Sequence, residues 1–277
     1  MSLAVFLAVL FAASIHAGWN ALVKSAADKH AATRFVALGA GVVGLAVLPA
    51  LDPIAPAARP WLAVSAVLQI GYYLLLAAAY RAVDLTVAYP LMRGVAPMLV
   101  AIAGVLLFGE RLGLAAWTGV AAISAGVAGL VFAGRAPRAG IAFALANAVV
   151  IATYTLVDAH AARLSGAPIT YAAWEAVATA VPLALHALAR DRGRAFAWPR
   201  PSSLIVGLVG GAATTTSYAI ALWAMTLAPV AVVAALRETS IVFALILGRR
   251  LFGEHVGRAR LIGATVVVAG VVVLRLA

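Results

Sequence analysis

The chain has 277 residues, of which 65% are hydrophobic and 10% charged, and a formal net charge of +11. Soluble domains run at about 45–50% apolar and about a quarter charged, and a chain this short has too little interior to hide so much apolar surface from water. The composition therefore excludes an ordinary soluble domain and points to lipid, while the absence of cysteine excludes a disulfide framework and a thiolate metal site.

A helix needs roughly 20 apolar residues to cross the hydrocarbon layer. In chain order such stretches fall at 2–23, 31–49, 61–80, 84–107, 113–133, 139–158, 168–188, 203–223, 228–248 and 258–276, which predicts ten spanning helices. The first lacks a basic leading region and holds Trp19 and Asn20, so it reads as a retained helix rather than a signal peptide. Each stretch is apolar on nearly every face, unlike the alternating strands of a membrane barrel. The glycine runs at Gly39–Gly44 and Gly207–Gly211 lie inside apolar stretches and read as close helix contacts, not phosphate cradles. The five histidines lack metal-ligand spacing, and no Walker or dinucleotide fingerprint is present. The basic residues sit in short connections, where lipid headgroups explain them better than nucleic acid does.

The chain is also written twice. Arg93 matches Arg237, Phe108-Gly109-Glu110 matches Phe252-Gly253-Glu254, and Gly119 and Gly126 match Gly263 and Gly270, always 144 residues apart. This divides it into a five-helix repeat at 1–134, a short connector at 134–138 and a second repeat at 138–277. Five spans per repeat turn the second upside down. The expected fold is thus an all-α integral membrane protein of two inverted five-helix repeats around a central cavity. Such repeats are common in secondary transporters, with the substrate near the midplane between them.

Three passages carry a family resemblance: HAGWNALVK at His16–Lys24, YRAVDLTVAYPLMRGVAPMLV at Tyr80–Val100, and the duplicated FGE followed by a glycine-rich helix. In their order the chain resembles the EamA-type branch of the drug/metabolite transporter superfamily, over essentially its whole length. The resemblance implies ten helices in two inverted halves, a central cavity, and movement of small metabolites or drugs, often outward.

A charge inside a bilayer normally faces a partner or water. Arg93 in the fourth helix and Arg237 in the ninth hold equivalent positions, so two guanidiniums can clamp a carboxylate or phosphate. The competing reading pairs Arg93 with Glu175 or Glu238 as a structural tie. Glu175, Glu238 and His16 are candidates for proton coupling or charge pairing. His16, Asn20 and Lys24 share one helix face. Trp19, Asn20, Tyr73, Tyr89, Trp174 and Tyr218 are further substrate-binding candidates, since aromatic faces accept rings and cations. Tyr72, Tyr154 and Tyr171 are read alongside them as packing or lining residues. Pro90 and Pro97 are expected to bend the fourth helix on either side of Arg93. Glu110 and Glu254 are read as caps at the starts of the fifth and tenth helices, and as hinges.

The sequence thus points to a secondary active transporter, exporting a small polar metabolite such as an amino acid or related carboxylate by alternating access. The alternative is a proton-coupled exporter of organic cations. The expected partners are the solute, membrane lipids and protons, with no nucleic acid and no cofactor, in a monomer or weak homodimer of a bacterial-type inner membrane. An enzyme using Asp84, Asp158 or His160 finds no nucleophile–base or metal spacing. The positive-inside rule puts both termini outside, whereas the resemblance implies both inside, so orientation stays open.

Overall fold

The computed structural model describes residues 1–26, 28–83, 85–131, 137–191 and 201–276. Asp84 and most of the expected connector at 134–138 lie outside the described residues. The elements are α1 (Leu3–Ser25), α2 (Lys29–Val47), α3 (Arg59–Ala82), α4 (Leu85–Phe108), α5 (Leu114–Ala128), α6 (Arg138–Ser165), α7 (Pro168–Asp191), α8 (Pro201–Leu227), α9 (Val230–Arg237), α10 (Ser240–Phe252) and α11 (Arg258–Leu276). Every predicted spanning stretch is helical, and among the described residues there is no strand. Among the described residues eight spans are long and apolar enough to cross a membrane, with α9 and α10 together forming one of them. The shorter α5 is continued by a 3-10 turn at Gly129–Val131. The 24-residue α7 carries Glu175 within it.

The packing obeys the symmetry of the repeat. Exchanging α1 with α6, α2 with α7, α3 with α8, α4 with α9–α10, and α5 with α11 converts the α3–α6 contact into α8–α1, and α4–α6 into α9–α1 and α10–α1, all of which are present. The two halves interlock: α2 packs on α7 and α8, and α5 on α11. The α5–α11 seam shows the inversion directly. A Cβ on Gly126 would meet the Gly263 carbonyl oxygen at 2.8 Å, and one on Gly263 would meet the Gly126 carbonyl oxygen at 2.8 Å. Gly119 and Gly270 face each other in the same reciprocal way. The residue that opens the motif in one repeat thus meets the residue that closes it in the other, as an antiparallel crossing about a two-fold axis requires. Lipid tails are as apolar as leucine, so such helices associate through close van der Waals packing, which glycine permits.

The FGE motifs are C-terminal caps, not helix starts. Gly109 and Gly253 both have φ of +64°, the left-handed conformation glycine adopts without penalty. The amide of Glu110 then bonds the Gly104 carbonyl at 3.0 Å, and that of Glu254 the Gly248 carbonyl at 3.2 Å, each six residues back, so a wide turn at a left-handed glycine ends both α4 and α10. Helix α5 begins later, after Gly113, with no side-chain cap.

An interruption also appears where the sequence predicted none. Helix α4 runs unbroken through Pro90 and Pro97, whereas the ninth span, read as continuous over 228–248, divides at Glu238–Thr239. There the amides of Glu238 and Thr239 bond the carbonyls three residues back, at 3.0 and 3.1 Å, and the Thr239 hydroxyl donates to the Leu236 carbonyl at 2.7 Å. A local switch to the tighter ladder in mid-helix is a recurrent hinge geometry. Pro97 acts more quietly: it has no N–H for the Arg93 carbonyl, so that carbonyl loses its helical donor.

Candidate functional site

Three helices meet at the centre. Arg93, Ala96, Pro97 and Val100 of α4, Ile151, Tyr154 and Thr155 of α6, and Ala234, Arg237 and Glu238 at the end of α9 line one small pocket. It has room for about one water molecule, so this conformation is closed around its polar groups. The Arg93 Nε donates to Glu238 Oε2 at 2.9 Å, and both side chains are buried. Of the two partners the sequence offered Arg93, the fold therefore selects Glu238. Removing one member of such a pair strands the other's charge in a medium of low dielectric.

Arg237 differs. It lines the same pocket but makes no ion pair among the described residues. Its guanidinium lies 5.2 Å from the centre of the Tyr218 ring, a cation–π arrangement that holds the charge without neutralising it. The hydroxyl of Tyr218 donates to Asp158 Oδ2 at 2.5 Å, and that of Tyr171 to Asp158 Oδ1 at 3.1 Å. Asp158 is completely buried. Glu175, also buried, accepts from the Thr179 hydroxyl at 2.8 Å and lies within electrostatic reach of Asp158 and beside Gln69.

The other sequence candidates fall around this core. His16 and Tyr89 both lie within electrostatic reach of Arg93 and Arg237. Trp19 Nε1 donates to His16 Nδ1 at 3.3 Å, and Asn20 Nδ2 donates back to the His16 carbonyl at 2.7 Å. These two residues therefore order His16 and do not line the pocket. Tyr73 stands beside Glu175. Trp174 is 40% exposed and does not line this pocket. His160 meets Trp61 edge to face and Phe108 at a tilt, with ring centres 5.0 and 5.7 Å apart.

Glu110 and Glu254 close the two ends of the molecule differently. The Glu110 carboxylate is 7% exposed and accepts from the Val230 amide at 3.0 and 3.1 Å, and from Arg163 Nη2 at 3.1 Å. It therefore does cap a helix start, but that of α9 in the other repeat. Arg163 also donates to the Met225 and Ala228 carbonyls. At the opposite end Glu254 pairs with Lys24, and both side chains are exposed, at 38% and 44%. Lys24 bonds the Glu254 carboxyl and holds it below the usual carboxylate range.

Reading the sequence alone leaves Asp158, with Tyr171 and Ser65, out of the candidate set. Its signal was present: α6 continues to Ser165, so Asp158 is not a helix end but lies one turn beyond pocket-lining Tyr154 on the same face.

The comparisons bear on the whole chain. A family model described as the EamA-like transporter family matches residues 3–132 and again 138–276. A crystal structure, described only as that of a protein, aligns over 99% of this chain and 98% of its own with a TM-score of 0.78 and 22% identity, which establishes a shared fold. No curated protein matches the chain.

Proposed function

The chain belongs to the EamA-like transporter family, and on that premise we propose that it exports a small carboxylate-bearing metabolite, an amino acid or a related compound, by alternating access between its repeats. The family is one of membrane transporters, and the apolar helices make the chain a multi-pass membrane protein; a bacterial-type inner membrane is the host this reading assigns. The observation that carries the substrate class is Arg237: a guanidinium at the pocket with no anionic partner among the described residues. An unpaired charge inside a membrane is costly, so an arriving carboxylate gains a charge-assisted partner where water is scarce. Arg93 is already held by Glu238 and acts as its neighbour, fixing the α4–α9 contact until the pocket opens. The hinge at Glu238–Thr239 sits beside both arginines, so repositioning α10 against α9 changes their spacing. An organic-cation exporter needs an acid free to face the pocket, and the lining acid, Glu238, is engaged by Arg93.

The test is thermal stability of the purified protein against a panel of amino acids, other carboxylates and organic cations. Ligands that bind only the folded state raise its apparent stability. A carboxylate that stabilises the native chain and loses at least tenfold in affinity in Arg237→Ala supports the reading. Carboxylates that bind equally well to Arg237→Ala refute it.

A further inference from the structure

The membrane core of the described chain holds five side chains that are charged in their ordinary states: Arg93 and Arg237 on one side, Glu238, Asp158 and Glu175 on the other. Arg93 neutralises Glu238 directly. Arg237 reaches Asp158 through the Tyr218 ring and hydroxyl. Glu175 accepts from Thr179 and lies beside Gln69 and Tyr73, and among the described residues it forms no ion pair. The set is one positive charge short, and two of its acids, Asp158 and Glu175, lie within electrostatic reach of each other. Two carboxylates sharing a dry site do not both stay ionised.

The missing charge has to be small. Asp158 is completely buried, Glu175 nearly so, and neither lines the pocket. A metal cation needs a shell of several oxygens and an ammonium group needs space, whereas a proton needs only a lone pair. The neighbours of the Asp158 carboxyl are neutral hydroxyls: Tyr171 and Tyr218 donate to its two oxygens, and Ser65 Oγ, completely buried on α3, lies beside it.

We infer that Asp158 and Glu175 form a proton-binding site behind the pocket, sharing one proton in the closed state, with Tyr218 linking that site to Arg237. The titratable groups that face it are Tyr73 of α3, Tyr154 of α6, Tyr171 of α7, Tyr218 of α8 and Arg237 of α9. Its use in transport rests on the exporter reading above. A carboxylate at Arg237 screens that guanidinium from Asp158 and so strengthens the hold on the proton; by linkage, substrate anion and proton then favour each other's binding. Proton and carboxylate then cross together, so the cycle exports only where the outward substrate gradient exceeds the inward pull on the proton.

Infrared difference spectroscopy of the purified full chain, with no carboxylate added, tests the site from mildly acidic to mildly alkaline pH. The wild type should show the carbonyl stretch of a buried carboxylic acid at neutral pH. Glu175→Gln should remove or displace that band, and Asp158→Asn should move its titration to lower pH by relieving the repulsion. No such band in the wild type, or an unchanged band and titration in both variants, overturns the inference. Should Asp158→Asn fail to fold, Glu175→Gln decides alone. Because no carboxylate is present, this result stands apart from whether carboxylates bind at Arg237.

Discussion

Replacing Glu110 by alanine should open one end of the molecule and leave the other closed. In the native chain that carboxylate receives the Val230 amide and Arg163 from a nearly dry position. Losing a side-chain cap costs about 1 kcal/mol, with a range of about 0.5–2. The Arg163 bond adds up to about 1 kcal/mol, discounted because Arg163 is 39% exposed and can turn to water. Together they favour the open end by about 2 kcal/mol, or roughly 30-fold in its population. The chain has no cysteine, so a single one at Ala228, buried beside the Arg163 bond, reports that opening alone. Its maleimide labelling rate should rise roughly 30-fold in the Glu110→Ala background if closing outpaces labelling. Glu254→Ala removes an exposed pair at the far end, so it should leave the Ala228 reporter unchanged. Equal rates in all three backgrounds, or an equal rise in both variants, would refute the assignment of Glu110 as the lock of its own end.

Two further outcomes follow from other parts of the fold. The Lys24–Glu254 contact should weaken in high salt, where exposed pairs are screened. Because the Glu254 carboxyl is held below its usual range, the contact should persist through mildly acidic pH and fade only as pH falls through that lowered value. Carboxyl NMR should find the midpoint restored to the ordinary range in Lys24→Met, and an unchanged midpoint would contradict the pairing. At the seam, Gly126→Ala places a Cβ against the Gly263 carbonyl and the Val267 amide, and should cost about 1–3 kcal/mol as overpacking. Gly129→Ala meets open space and should leave thermal stability in detergent unchanged or slightly raised; equal losses in both would dispute the close approach.

The spans were legible because lipid imposes a length on apolar stretches that water does not, and every one of the ten appears as helix. The repeat was legible because its glycines and FGE triplets serve geometry, which changes little between the two halves. Chemistry was harder to read. The sequence offered Arg93 two acids, and only packing of α4 on α9 chooses Glu238. Asp158 was hidden by the segment after it, AHAARLS, whose small and polar residues look like a loop. Ala159, Ala161 and Ala162 are in fact buried, because small side chains let α6 press against its neighbours over its full 28 residues. Glu110 followed a glycine, which signals the end of a helix as well as the approach to another. Its carboxylate found a helix start from the opposite repeat, a relation no local pattern contains.

The glycine seam between α5 and α11 also sets an order of events during synthesis. Its two sides are separated by the first four spans of the second repeat, so α5 enters the bilayer long before α11 is made. Until then Gly119 and Gly126 present a shallow groove to lipid, and the early half waits with one flank unfinished. Helix α11, made much later, fills that groove, and a contact so distant in sequence forms late because its loop-closure entropy must be met first. Helix α11 therefore fastens the newborn protein, joining the two repeats around the charges at their centre.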